Sequence, residues 1–75
     1  MPAYTDVDRD SGVARYEIGE DFIDVEFKGG GAYRYGYAAT GAAHVETMKL
    51  LAGTGTGLNA YINRHVRERY DRRLW

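Results

Sequence analysis

Three tyrosines at alternate positions, Tyr33, Tyr35 and Tyr37, and five arginines close together, Arg64, Arg67, Arg69, Arg72 and Arg73, are the side chains best suited to chemistry. In a strand, alternation puts the three phenols on one face and Arg34 on the other. Such rings at a sheet rim stack on base faces without sequence readout, at about 1 to 3 kcal/mol per base. The same rings serve equally as core aromatics whose hydroxyls reach the rim for hydrogen bonds. The arginine run suits phosphate or carboxylate, because a planar guanidinium donates two parallel hydrogen bonds. It also suits a solvated helix face carrying an Arg64–Glu68 pair at i,i+4.

Other chemistries find little support. Zero Cys excludes a disulfide framework, a thiolate zinc site and a cysteine nucleophile. Ser11 is the only serine and has no identifiable His and acid partners in sequence. His44 and His65 fall on different predicted helices without a metal-ligand spacing and read as helix-face residues. Asp6, Asp8, Asp10 and Glu17 mimic a calcium-loop count, but Ser11 stands where that loop needs glycine. Gly53-Thr54-Gly55-Thr56-Gly57 lacks the lysine and the spacing of a P-loop and reads as a linker between helices, although a helix start there would favour an anion. Neither a cofactor nor a metal is expected.

The elements that must position these groups follow from periodicity. Gly12 to Ile18 reads as a strand, Gly19-Glu20-Asp21 as a turn, and Phe22 to Lys28 as a second strand with Ile23, Val25 and Phe27 on one face. Gly29-Gly30-Gly31 permits the positive φ of a tight hairpin, and Ala32 to Tyr37 returns as a third strand. Thr40 then offers a cap to a helix whose stripe is Ala43, Val45, Met48, Leu51 and Ala52, closing at Gly53. A second helix carries Leu58, Tyr61, Ile62, His65, Val66 and Tyr70. The expected fold is α+β: a three-stranded antiparallel meander followed by two helices packed on one face, βββαα.

Residues 1–10 show no sustained period and read as a flexible arm ahead of a single domain over 11–75. At 75 residues the chain buries about 60% of its unfolded surface, so a partner subunit is an expected source of further stability. No apolar run reaches membrane-span length and no leader pattern opens the chain, which makes a cytoplasmic protein the expectation. The net charge of −1 is a cancellation: Met1 to Gly31 holds eight acids against three bases, and Ala32 to Trp75 holds seven bases against three acids. A pI near 6.1 weighs against a nucleic-acid backbone binder.

Several of these strings together resemble one family. Ser11 before a strand, Ile23-Asp24-Val25-Glu26-Phe27, a glycine turn, Tyr33-Arg34-Tyr35, and Tyr61-Ile62-Asn63-Arg64-His65-Val66-Arg67 are similar to the KTSC domain, named for the C-terminus of some lysyl-tRNA synthetases. The resemblance covers about Ser11 to Tyr70. Leu58-Asn59-Ala60 separates Gly57 from Tyr61, where the family more usually has Ser-x-Gly directly before the aromatic. The resemblance implies an RNA-binding role, which has been suggested for the family, and marks Tyr33, Tyr35, Asn63 and Arg67 as its motif positions. With Arg64 added, these types form a nucleotide kit: rings to stack, an amide for a base edge or ribose, and guanidinium groups for phosphate. The leading expectation is therefore a non-catalytic binder of a phosphate-bearing nucleotide or nucleotide-derived signal. It would act by sequestration, by analogy with phage proteins that hold immune signals. RNA binding and a protein interaction module anchored by tyrosines and Trp75 are the alternatives.

Overall fold

The computed structural model describes residues 12–75. The arm expected over 1–10, the calcium-like aspartates and Ser11 lie outside the described residues. The element order is β1 (Val13–Ile18), β2 (Phe22–Phe27), β3 (Ala32–Gly36), α1 (Ala42–Thr54), α2 (Leu58–Tyr61) with a π-helical continuation (Ile62–Val66), and β4 (Arg72–Arg73). The sheet is an antiparallel meander in the order β1-β2-β3-β4, so the expected α+β fold stands with one short strand added at its edge.

The second strand shows why the sheet has two unlike faces. Ile23 and Val25 are fully buried against the helical layer, and Phe27 packs half-buried beside them. On the other face Asp24 stands opposite Arg34 in the β2–β3 register. That register is set by the glycine hairpin, where Gly30 and Gly31 take φ of 106° and 87° and the Phe27 amide donates to the Gly31 carbonyl. Arg34 then meets Asp24 through two parallel bonds of 2.8 and 2.9 Å while its guanidinium lies 3.9 Å from the Phe22 ring centroid. A β-bulge between Val13 and Arg15 lets β1 bury Val13 and still present Arg15 to Glu26.

The helices cover the apolar face. Val45, Met48 and Ala52 of α1 join Leu58, Ile62 and Val66 of the second helical segment and Val13, Ile23, Val25 and Tyr35 of the sheet in one core. Burying such side chains is worth about 1.5 to 3 kcal/mol each, which makes this cluster the main source of stability. Three local readings need correction. Thr40 does not cap α1: it is fully buried and its hydroxyl donates to the Arg69 carbonyl at 2.5 Å, leaving Gly41 at the cap position. Helix α1 runs through Gly53 and ends at Gly55, whose φ of 78° lets its amide reach the Leu51 carbonyl. The second helical segment stops at Val66, so Tyr70 belongs to the return loop and Arg72–Arg73 to β4, where a continuous helix was expected. Among the described residues, no helix is long and apolar enough to cross a membrane.

Glu26 also ties the sheet to the residues after β4. Arg15 binds its carboxylate, and the Trp75 indole N–H donates to Oε2 at 3.2 Å. The Arg15 hydrogen bond holds the Glu26 carboxyl below the usual glutamate range. A carboxyl with a depressed folded-state pKa contributes stability above its unfolded value and loses it as pH falls through the folded one. Fluorescence of Trp75, the sole tryptophan, is therefore expected to titrate below the ordinary glutamate value of about 4.3. Arg15→Gln should move that midpoint upward, and an unchanged midpoint would show that the pair does not set it.

Candidate functional site

The third strand and the π-helical stretch face each other across a groove of about 380 Å³ lined by Phe27, Gly30, Tyr33, Tyr35, Ile62, Asn63, Arg67, Glu68 and Tyr70. That volume lies within the range of small-molecule sites, about 300 to 1,000 Å³. Tyr33 and Tyr35 reach it because alternate residues of β3 point to the helical side. Asn63 and Arg67 reach it from the π-helical stretch and its end, where i→i+5 bonding widens the turn and brings residues four apart nearly over one another. Ile62 closes the floor from the core.

The rings are graded in exposure. Tyr35 is 1% exposed, Tyr33 half-buried, and Tyr70, at 37%, is the most open of the three. Tyr70 packs on Tyr33 at 4.6 Å between centroids and meets Tyr35 edge-on at 6.3 Å, while Phe27 flanks Tyr33 at 5.9 Å. The Tyr35 hydroxyl has no hydrogen-bond partner among the described residues, although its ring is enclosed and the residue lines the groove. Burial pushes that hydroxyl well above the ordinary phenol range, helped by Tyr33 and Tyr70, so it stays a neutral O–H donor. An enclosed hydroxyl without a partner costs about 1 to 3 kcal/mol, which a polar group in the groove can relieve.

Arg67 is exposed and has no ion-pair partner among the described residues, leaving its guanidinium available at the rim. Glu68 adds an acceptor-only carboxylate beside it. The groove thus offers aromatic faces, a hydroxyl donor, an amide, one cation and one anion.

Of the residues expected from sequence, Tyr33, Tyr35, Asn63 and Arg67 come together here. Arg64 does not: it lines a separate hollow of about 200 Å³ with Gly57, Ala60, Tyr61 and His65. Tyr37 also leaves the tyrosine face, because β3 ends at Gly36; its hydroxyl donates to Glu46 at 2.6 Å and its ring lies 5.7 Å from the Lys49 ammonium. The arginine run is dispersed rather than shared by one face. Arg72 and Arg73 form the edge strand, with the Arg73 guanidinium 5.7 Å from the Tyr33 centroid, and no Arg64–Glu68 pair forms among the described residues. Tyr70 and Phe27 are lining residues that the sequence reading missed.

His44 and His65, read separately in sequence, are brought together. Their rings stack at 5.8 Å and 28°, His44 Nδ1 lies 2.7 Å from the Tyr61 hydroxyl, and Tyr61 lies 4.5 Å from the His65 ring. No group of three or more metal-ligating His, Cys, Asp or Glu side chains occurs among the described residues. The class defined by fold and groove is a small α+β domain with an aromatic-walled cleft between sheet and helix. Comparison with protein-family profiles, curated proteins and solved structures finds no match to this chain.

Proposed function

We propose that this is a KTSC-like domain acting as a non-catalytic binder of a phosphate-bearing nucleotide or nucleotide-derived signal, holding it by sequestration. The observation that carries the reading is the convergence of Tyr33, Tyr35, Asn63 and Arg67 on one groove of small-molecule size. In this reading Arg67 takes the phosphate, the open edges of Tyr33 and Tyr70 contact the base, and Asn63 with the Tyr35 hydroxyl satisfies polar edges. RNA binding is less well supported, because Arg15 and Arg34 are engaged with Glu26 and Asp24, and Arg64, Arg67 and Arg72–Arg73 are divided between the separate hollow, the groove and the sheet edge.

A thermal-shift panel of mono- and dinucleotides tests the proposal, with choline and short RNA as comparison ligands. A nucleotide is expected to raise the Tm, and Arg67→Gln to weaken it at least tenfold, the value of about one charge-assisted hydrogen bond. Tyr35→Phe should leave the free protein as stable or more stable while weakening the ligand, because only the partnerless hydroxyl is removed. No shift with any nucleotide, or a shift with choline alone through the same rings, overturns the reading. The proposal includes self-association, and light scattering is expected to show a dimer or larger.

A further inference from the structure

We propose that Tyr61, Arg64 and His65 form a second site, separate from the groove, that binds a phosphate group. The hollow they line is built from donors and groups able to carry positive charge: the Arg64 guanidinium, the His65 imidazole and the Tyr61 hydroxyl, with Gly57 and Ala60 completing the wall. His44 of α1 stacks on His65 and bonds Tyr61, bringing a second imidazole to the same place.

Among the described residues this cluster has no carboxylate. Helix α1 carries one acid, Glu46, and its Oε2 is committed to Lys49 at 2.8 Å and to the Tyr37 hydroxyl. The segment from Leu58 to Val66 carries none, and Glu68, the next acid along the chain, lines the groove instead. Arg64 has no ion-pair partner among the described residues. A protonated His65 beside the Arg64 guanidinium, or two protonated rings stacked on each other, brings like charges together, and an anion seated in the hollow offsets that repulsion. A phosphate group suits the chemistry of the donors, since guanidinium offers a fork and imidazolium a single strong N–H.

His44 acts as a positioning residue. When its Nδ1 carries the proton, it donates to the Tyr61 oxygen and frees the Tyr61 O–H for a phosphate oxygen; with Nδ1 unprotonated, Tyr61 spends its only hydrogen on the ring. Phosphate bound through Tyr61 therefore requires His44 to be protonated on Nδ1.

Titration of the protein with inorganic phosphate at several pH values, followed by NMR of the histidine rings and the arginine side-chain N–H groups, tests the site. A second arm uses methyl phosphate to separate a free from an esterified phosphate, and chloride at matched ionic strength is the control. The expected result is a saturable shift of His65 and Arg64 in one or both phosphate arms and absent with chloride, with His44 protonated on Nδ1 in the bound form. Arg64→Gln and His65→Gln, both exposed positions, should each weaken the response about tenfold or more, and Arg67→Gln should leave it unchanged. Shifts that fail to saturate, that chloride reproduces, or that survive Arg64→Gln overturn the site. Loss with Arg67→Gln alone places the phosphate in the groove and overturns it as well, while leaving the groove's nucleotide reading standing. An unprotonated Nδ1 in the bound form overturns the part given to Tyr61.

Discussion

Deleting residues 71–75 is expected to lower the stability of the fold by about 3 kcal/mol, the sum of roughly four hydrogen bonds at about 1 kcal/mol each, with some loss recovered by water. The bonds are specific. The Asp71 amide donates to the Arg34 carbonyl at 2.7 Å, the Leu74 amide to the Ala32 carbonyl at 2.7 Å, and the Ala32 amide to the Trp75 carbonyl at 3.0 Å. Asp71 also accepts the Ala39 amide at 2.8 Å, satisfying the loop that leads into α1. Without β4 the outer edge of β3 presents unpaired backbone groups, a template for another chain, so the shortened protein should self-associate through that edge. Urea unfolding and light scattering read the two effects. An unchanged urea midpoint would mean that β4 is an ornament on an already complete sheet.

Arg34→Met is the second large effect. Asp24 is 5% exposed, and its carboxylate is neutralised by the Arg34 fork at 2.8 and 2.9 Å. Removing the cation leaves an enclosed carboxylate unpaired, which costs 3 kcal/mol or more at fully buried sites. The Arg34 side chain is 30% exposed, so solvent screens part of this and about 2 kcal/mol is expected, roughly a thirtyfold change in the folded-to-unfolded ratio. Methionine keeps an apolar stem against Phe22, which confines the change to the charge. Pairing it with Asp24→Leu should recover much of the loss, because an apolar pair of similar bulk replaces a buried ion pair at little cost. A double variant no better than Arg34→Met would show that Phe22 packing, rather than the unpaired carboxylate, controls this face.

How much was legible in the sequence depends on how local each signal is. The alternation of Ile23, Val25 and Phe27 and the three glycines after them identify β2 and its hairpin, because period and turn chemistry are read over a few neighbours. Val45, Met48 and Ala52 identify α1 in the same way. Tyr37 continues the alternation of Tyr33 and Tyr35 but lies past the end of β3, where a four-residue turn redirects it toward Glu46. Arg72 and Arg73 carry no alternation at all; a two-residue strand is defined by its partner, here Tyr33 and Arg34, and not by its own pattern. The π-helical stretch is silent for a related reason, since Leu58, Ile62 and Val66 also fit an α-helical stripe. Four members of the groove were marked by the motif positions of the KTSC resemblance, with residue types that suit a nucleotide, but Phe27 and Tyr70 required the tertiary path, and so did the meeting of His44 with His65. No spacing rule links residues on separate helices.

Tyr33 and Arg73 pair across 40 positions of chain, whereas Val25 and Tyr33 pair across a hairpin. Loop-closure entropy makes such a long-span pairing more costly than the hairpin, and its ladder is only two residue pairs long. The amides of Asp71 and Leu74 should accordingly exchange with solvent deuterium ahead of those in β2, at the pace of local opening rather than global unfolding. The loop that carries Tyr70 and the Arg73 guanidinium over Tyr33 belong to this same fraying segment. One wall of the cleft is thus tied to the short edge of the sheet, so anything that grips Tyr70 and Tyr33 together should also slow the exchange of the β4 amides.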